Sequence, residues 1–401
     1  MASTSVSAAT IAAAIAAAYG MHSAATGRRE LRQTQQTLDY QIDGVVGLQG
    51  ILRDELIKLS REDFDAAVLQ SSQAFIRFSL LDMGCAEMTK ESSLSLASLV
   101  QCRENLDGGS SAEDGEPSYI NPVQYINVHR FSSRIHSMAM SGRVGREVAR
   151  LLSVWAVRLY QSAAFIKRPQ SAAKDSTPTE RLDSQHSSTA WHADLNQVPL
   201  DTNAFGTLWC PLARVNRSHS LLSFARGSHR DIAVRHWFLE SSGLLRNESA
   251  PRGDPSSRNA TAFVVGRHGA LVDFSPMEPG DCTFHSGWVL HAAPPNFSGE
   301  TRRALTFSFV DADAKLVAHN TRPLALEDKI SWADWVDEVY DAGSTIDHAL
   351  LPVTFDAAFD AAPEKRERNR DADAPLLPAE SHRGDGSPST IDHFEHPGYL
   401  P

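Results

Sequence analysis

Between residues 188 and 311 the chain is a succession of short β-patterned runs broken by Gly, Pro, Asn and Ser turns. Runs of that length at that spacing predict a β-sandwich or barrel rather than alternating strands and helices. The last run, Thr301–Val310, also predicts its two faces, because successive side chains in a strand point to opposite sides. Leu305, Phe307 and Phe309 share one face with Arg303, and that face reads as packing. Arg302, Ala304, Thr306 and Ser308 share the other, which is small and polar around one cation and reads as a cavity wall. A buried Arg needs an anion, and its planar fork suits a carboxylate. A surface Arg302 is the reading that pattern alone leaves open.

A second feature gives the cavity a chemistry. Trp191-His192-Ala193-Asp194 lies on β-patterned sequence, so His192 and Asp194 point to one face and can present an imidazole and a carboxylate to one ion. A further His completes two-His-one-carboxylate, the ligand set of non-haem Fe(II) oxygenases, which keeps positions open for other ligands. The triplet alone is weak evidence, and His229-Arg230-Asp231 also fits it. That second triplet follows Arg226-Gly227-Ser228, a turn, where the two side chains need not share a face. Two residues compete for the distal position, His285 and His291, both on β-patterned sequence. On the reading that His291 ends one strand and Arg302 opens its antiparallel neighbour, metal and carboxylate anchor share one cavity. A core-packed His291 is the alternative.

In order along residues 38–355 the chain resembles the phytanoyl-CoA dioxygenase-like branch of the 2-oxoglutarate dioxygenases. Asp43-Gly44-Val45-Val46 is similar to the family's opening, and Phe165-Ile166-Lys167-Arg168-Pro169 to its strand ending K-x-P. Trp191-His192-Ala193-Asp194 matches W-H-x-D, and Phe224–Arg230 resembles a P-G-S-H segment with Arg226 in place of Pro. Gly280-Asp281, Phe284-His285 and His291 match the distal half. The resemblance implies a double-stranded β-helix, a jelly roll of two packed sheets buttressed by N-terminal helices. It implies Fe(II) held by His192, Asp194 and His291, with O2 and 2-oxoglutarate as cosubstrates. It further implies that Arg302 binds the far carboxylate of 2-oxoglutarate and that Trp209 lines that pocket. The implied activity is hydroxylation of a C–H bond in a small-molecule or acyl substrate, releasing succinate and CO2. Asn196 and Gln197, just after the triplet, are substrate-contact candidates, and Asn196 equally suits a turn. Two departures stand out: Arg217-Ser218-His219-Ser220 replaces an E-N-G segment, and Ala293 stands where a Ser often supports the cosubstrate. Because Asp194 is present, halogenase chemistry, which needs that carboxylate absent, is not implied. The competing reading is a jelly-roll binding protein that has lost turnover; a cupin-like enzyme with another metal has no use for Arg302.

The rest of the chain bounds these readings. A formal net charge of −11 with no Lys/Arg cluster argues against nucleic-acid and anionic-membrane partners. Cys85, Cys102, Cys210 and Cys282 are scattered, with no C-x-x-C, and predict small buried thiols in a reducing compartment. Residues 1–27 carry no Asp, Glu or Lys before Arg28 and are rich in Ala, Ser and Thr. A transit peptide, a plain tail and a signal or anchor are the three readings, and the expected location is intracellular, cytoplasmic or organellar. The expected division is a disordered or targeting segment at 1–37, a dioxygenase domain at 38–355, and a charged, Pro/Gly-rich disordered tail at 356–401. Apolar spacing predicts helices over Ile51–Leu59, Phe64–Ser79 and Gly142–Gln161, and strands over Tyr40–Gly50 and Ala163–Ile166. The polar loops at 168–188 and 243–260 are either a lid or simple insertions.

Overall fold

The computed structural model describes residues 24–90, 94, 98–99, 101–102, 105, 124–169, 188–231, 233, 255–317, 335–336 and 343–360. The elements run α1 (Ala24–Asp43), β1 (Val45–Leu48), α2 (Arg53–Leu56), α3 (Arg61–Asp82), β2 (Gln124–Ile126), α4 (Ser133–Ala139), α5 (Gly142–Leu152) and β3 (Ala156–Lys167). They continue with β4 (Thr189–His192), β5 (Leu200–Asp201), β6 (Phe205–Pro211), β7 (Ser223–Ala225), α6 (Pro255–His268), β8 (Leu271–Val272), β9 (Cys282–Ser286) and β10 (His291–Ala293). The last are β11 (Arg302–Asp311), β12 (Lys315–Leu316), β13 (Val353–Asp356) and α7 (Ala357–Asp360).

Two antiparallel sheets carry the fold. The larger has the order β1-β9-β6-β11-β3-β13, with β2 also on β3; the smaller has the order β4-β10-β7-β8. The face alternation read from β11 holds. Leu305, Phe307 and Phe309, with Leu208 and Phe284, pack outward against Phe64 of α3, Ile135 and Met138 of α4, and Val144 and Val148 of α5. Each such side chain taken out of water stabilises by roughly 1.5–3 kcal/mol. Gly206 is needed in this sheet: a Cβ there would lie 2.4 Å from Cζ of Phe284. The inner face, with Val45, Trp209 and Ala304, meets Phe224 and Ala293 of the smaller sheet. This is the jelly roll with helices against one sheet that the resemblance implied.

The helix over Phe64–Ser79 is present as α3, opened by a capping box between Ser60 and Asp63. Three sequence expectations are corrected. The helix predicted over Gly142–Gln161 stops at Leu152, because Ser153 turns left-handed at φ 60° and residues from Ala156 find ladder partners in β11 and β13. Trp155, assigned to that helix's apolar pattern, is 84% exposed. Part of the loop predicted at 243–260 is helical, since α6 begins at Pro255. The cysteines are not free thiols: Cys85 pairs with Cys102, and Cys210 with Cys282. Adjacent strands bring Cys210 and Cys282 together, with Cα atoms 4.4 Å apart, across a sequence separation of 72 that hides the pairing.

Helix α1 begins at Ala24, inside the segment 1–37 expected to lack structure. Residues 1–23, most of 168–188, residues 243–254 and the tail beyond 360 lie outside the described residues, and with them the targeting, lid and disordered-tail expectations. Among the described residues no helix is long and apolar enough to cross a membrane.

Candidate active site

The smaller sheet sets the triad. Its strand β4 ends at His192, and Ala193 stays extended at φ −128°, ψ 126°, so Asp194 keeps the same-face relation to His192 although a 3-10 turn starts there. The Leu195 amide donates to the Gly287 carbonyl at 2.9 Å and pins this turn. Antiparallel pairing sets His291 of β10 directly opposite His192. The two ring centroids are 4.1 Å apart. Asp194 Oδ1 lies 3.4 Å from Nε2 of His192 and 3.4 Å from Nε2 of His291. Two ligands about 2.1 Å from one ion and at right angles lie about 3 Å apart, so the spacing fits a shared ion.

Each imidazole is oriented for that task. His192 Nδ1 lies 2.9 Å from the Ala190 carbonyl, and His291 Nδ1 lies 3.1 Å from that of Val289. A carbonyl only accepts, so Nδ1 carries the proton and Nε2 offers its lone pair. Burial, then the neighbouring His192, holds His291 well below the usual histidine range, so it is neutral and able to ligate. Burial alone would raise the Asp194 carboxyl, but His291 and then His192 and His285 outweigh it and hold the group well below the usual carboxylate range. Asp194 is therefore ionised. His285, the other distal candidate, lies 3.3 Å from Asp194 Oδ2, the oxygen turned away from this pair. His229 sits in the 3-10 turn Ser228–Arg230, as its Gly-Ser context predicts.

Arg302 opens β11 and is 3% exposed. Its guanidinium stacks over Trp209 at 5.3 Å and donates to the Ser220 carbonyl at 2.8 Å, while Nε has no partner among the described residues. Burial lowers it to about 9, which leaves it charged at neutral pH. The route by which Arg302 reaches the triad differs from the one read in the sequence. Strand β11 is not the neighbour of β10: it lies in the larger sheet, and the 294–301 turn carries the chain from one sheet to the other. Triad and Arg302 thus face each other across the sandwich, in a cavity of about 170 Å³ also lined by Trp209, Thr207, Ser308 and Ala293.

Lys167 is a functional candidate that sequence reasoning did not single out. It pairs in register with Arg302 on β3, is buried, and donates to Thr189 Oγ1 at 2.8 Å. Burial, then the Arg302 charge, lowers its amine to about 6. Its sequence signals were its place at the end of the apolar run 163–166 and in the segment similar to the family's K-x-P, neither of which gave it a role. Asn296, fully buried, donates to the carbonyls of Lys167 and Glu300 and so ties the 294–301 turn to this end of the cavity. Asn196 is half-buried in the turn after Asp194, and its amide donates to the Ala193 carbonyl; it is not among the residues lining the cavity. The side chain of Gln197 lies outside the described residues.

The donor set fits iron, and the buried Arg302, which has no acidic partner among the described residues, fits a small dicarboxylate beside it. Comparison with known proteins agrees. Residues 135–304, which contain the triad and Arg302, match the family model described as phytanoyl-CoA dioxygenase. Comparison with curated proteins finds no match. Among solved structures the chain is similar to the non-heme alpha ketoglutarate dependent epimerase SnoN from nogalamycin biosynthesis, at 17% identity, TM-score 0.45, over 81% of this chain and 99% of that one. It is also similar to the carbocyclase SnoK of the same biosynthesis, at 18% identity and TM-score 0.44, over 80% of this chain and 95% of that one. EctD from S. alaskensis with 2-oxoglutarate and 5-hydroxyectoine is similar at 15% identity and TM-score 0.42, over 73% of this chain and 82% of that one. The chain thus matches the phytanoyl-CoA dioxygenase family model over residues 135–304, and the His192–Asp194–His291 cluster and Arg302 lie inside the match, as Fe(II)- and 2-oxoglutarate-dependent oxidoreductase chemistry requires.

Proposed function

We propose that the chain uses 2-oxoglutarate and O2 to hydroxylate a C–H bond of a small-molecule substrate, with succinate and CO2 as the other products. The observation that carries this reading is the buried Arg302, which has no acidic partner among the described residues and shares one cavity with the His192–Asp194–His291 cluster. A buried cation is stabilised by an anion, and the carboxylate of a ligand in this cavity would supply one to Arg302.

In this reading Nε2 of His192, Oδ1 of Asp194 and Nε2 of His291 would hold Fe(II). Bound iron supplies the oxidative chemistry, and the protein supplies position, dryness and electrostatics. Arg302 would bind the far carboxylate of 2-oxoglutarate, with the Trp209 ring holding the guanidinium plane in place. Lys167 adds positive potential at the same end, since a carboxylate arriving nearby draws its proton back. The apolar and neutral walls, including Phe165, Val198 and Leu222, keep water from the reacting end. No side chain is needed as general acid or base. The alternative, a binding protein without turnover, draws on Ala293 alone.

The test is anaerobic titration of the Fe(II)-loaded protein with 2-oxoglutarate, following the weak visible charge-transfer band in wild type and in Arg302→Ala. A band in wild type that needs far more cosubstrate in the variant supports the reading. No band in a folded, iron-bound wild type overturns it in favour of the binding protein.

A further inference from the structure

Asp194 is contacted from both sheets. Its Oδ1 faces the two histidines of the smaller sheet, at 3.4 Å each. Its Oδ2 faces the larger sheet, where Thr207 Oγ1 donates to it at 2.7 Å and His285 Nε2 lies 3.3 Å away. These contacts belong to one row. Ser308 on β11 is paired with Thr207 on β6, and Thr207 with His285 on β9. Directly paired residues of neighbouring strands project from the same face, so the three side chains form a line across the sheet.

The direction of each bond follows from the chemistry. A carboxylate only accepts, so the Thr207 hydroxyl spends its one proton on Asp194. Ser308 Oγ, 3.0 Å from Thr207 Oγ1, must then be the donor to it. His285 is 1% exposed; neither ring nitrogen makes a well-aligned hydrogen bond among the described residues, and the polar atom nearest Nε2 is Asp194 Oδ2 at 3.3 Å. A proton on Nδ1 would face no acceptor, whereas one on Nε2 sits 3.3 Å from the Asp194 carboxylate, so the favoured tautomer carries it on Nε2. Ring contacts with Phe224 at 5.2 Å and His291 at 4.6 Å hold the imidazole there. His285 does not join the cluster of ligand atoms lying within 4.8 Å of one another.

A facial triad needs three open positions on the ion, and a carboxylate that bound through both oxygens would occupy one of them. Resting on the function proposed above, we propose that Thr207 and His285 are positioning residues that hold Asp194 Oδ2 off the iron, making Asp194 a one-oxygen ligand and keeping that position free for cosubstrate or oxygen. Ser308 orients the Thr207 hydroxyl.

The experiment compares wild type, Thr207→Val, Thr207→Ser, His285→Phe and His285→Gln. Three quantities are measured without oxygen: melting of the metal-free protein, Fe(II) affinity by chelator competition, and the visible band with 2-oxoglutarate. Thr207→Val is nearly isosteric and should melt with wild type when metal-free, yet bind Fe(II) roughly 10- to 100-fold more weakly, the usual cost of losing a partner of a metal ligand. His285→Phe should lose a similar factor. Thr207→Ser and His285→Gln, which keep a donor, should recover most of it. Wild-type affinity and an unchanged band in Thr207→Val and His285→Phe would overturn the proposal while the function stands. Should His285→Phe not fold, Thr207→Val decides alone. A wild type with no iron and 2-oxoglutarate band would instead sink the functional reading.

Discussion

Lys167 and Arg302 stand directly opposite one another on paired strands β3 and β11, two buried basic side chains with no acidic neighbour among the described residues, Arg302 charged and Lys167 driven toward its neutral form. Such a pair is costly in the free protein and is relieved by an anion between or beside the two groups. Truncating one partner of a buried charge pair typically costs about 2–5 kcal/mol. Arg302→Lys, which loses the fork, should therefore weaken 2-oxoglutarate binding by more than tenfold without moving Fe(II) affinity, as isothermal titration would show.

The amine of Lys167 is lowered to about 6, first by burial and then by Arg302. Between that value and its ordinary one the unfolded chain holds a proton that the folded chain does not. Stability therefore rises with pH through this window. Lys167→Met should flatten that rise, be no less stable at pH 7, and bind the cosubstrate more weakly. Urea unfolding at pH 7 and pH 9 checks the first two, and a variant whose slope matches wild type would refute the assignment.

His129 makes the opposite end of the pH range sensitive. It is buried, its Nδ1 lies 2.7 Å from Ser162 Oγ, and burial, then Arg130 and His136, lowers it to about 3. Below pH 6.5 the unfolded chain takes up a proton that the folded one refuses until about pH 3. The contribution to stability falls by ~1.4 kcal/mol per pH unit over that interval. His129→Gln should lose this component of acid lability, read as a shallower fall of melting temperature between pH 6.5 and 4.5.

Both disulfides should be present in the folded protein. Denatured without reductant, the chain should offer no thiol to an alkylating reagent; after reduction, Cys85, Cys102, Cys210 and Cys282 should all react. Closing a chain separation of 72 residues between Cys210 and Cys282 restricts the unfolded state by roughly 4 kcal/mol in the chain-entropy description. The double variant Cys210→Ala/Cys282→Ala should unfold at clearly lower denaturant.

Metal should stabilise the fold it needs. A ligand at 100 times its Kd adds about 2.7 kcal/mol. Fe(II) under argon should raise the melting temperature, a chelator should reverse this, and His192→Ala should show neither effect.

The triad residues were legible because the relation between His192 and Asp194 is local. Two positions along an extended chain share a face whatever the rest of the molecule does. The inward face of β11, with Arg302, Thr306 and Ser308, was legible for the same reason. The choice of His291 over His285 needed the family resemblance, since both lie on β-patterned sequence; the structure separates them by the oxygen of Asp194 each one meets.

What the sequence by itself determined is therefore the same-face relation of His192 and Asp194, the polarity of the two faces of β11 and, through the resemblance, the class of chemistry. What only the tertiary structure decided is which strands are neighbours. It moved β11 into the sheet facing β10, set Lys167 against Arg302, lined up Ser308, Thr207 and His285, and joined Cys210 to Cys282. The physical reason is that alternation is a property of a few consecutive residues. Strand order and register come from burying whole faces between segments far apart in the chain, and no local pattern encodes them.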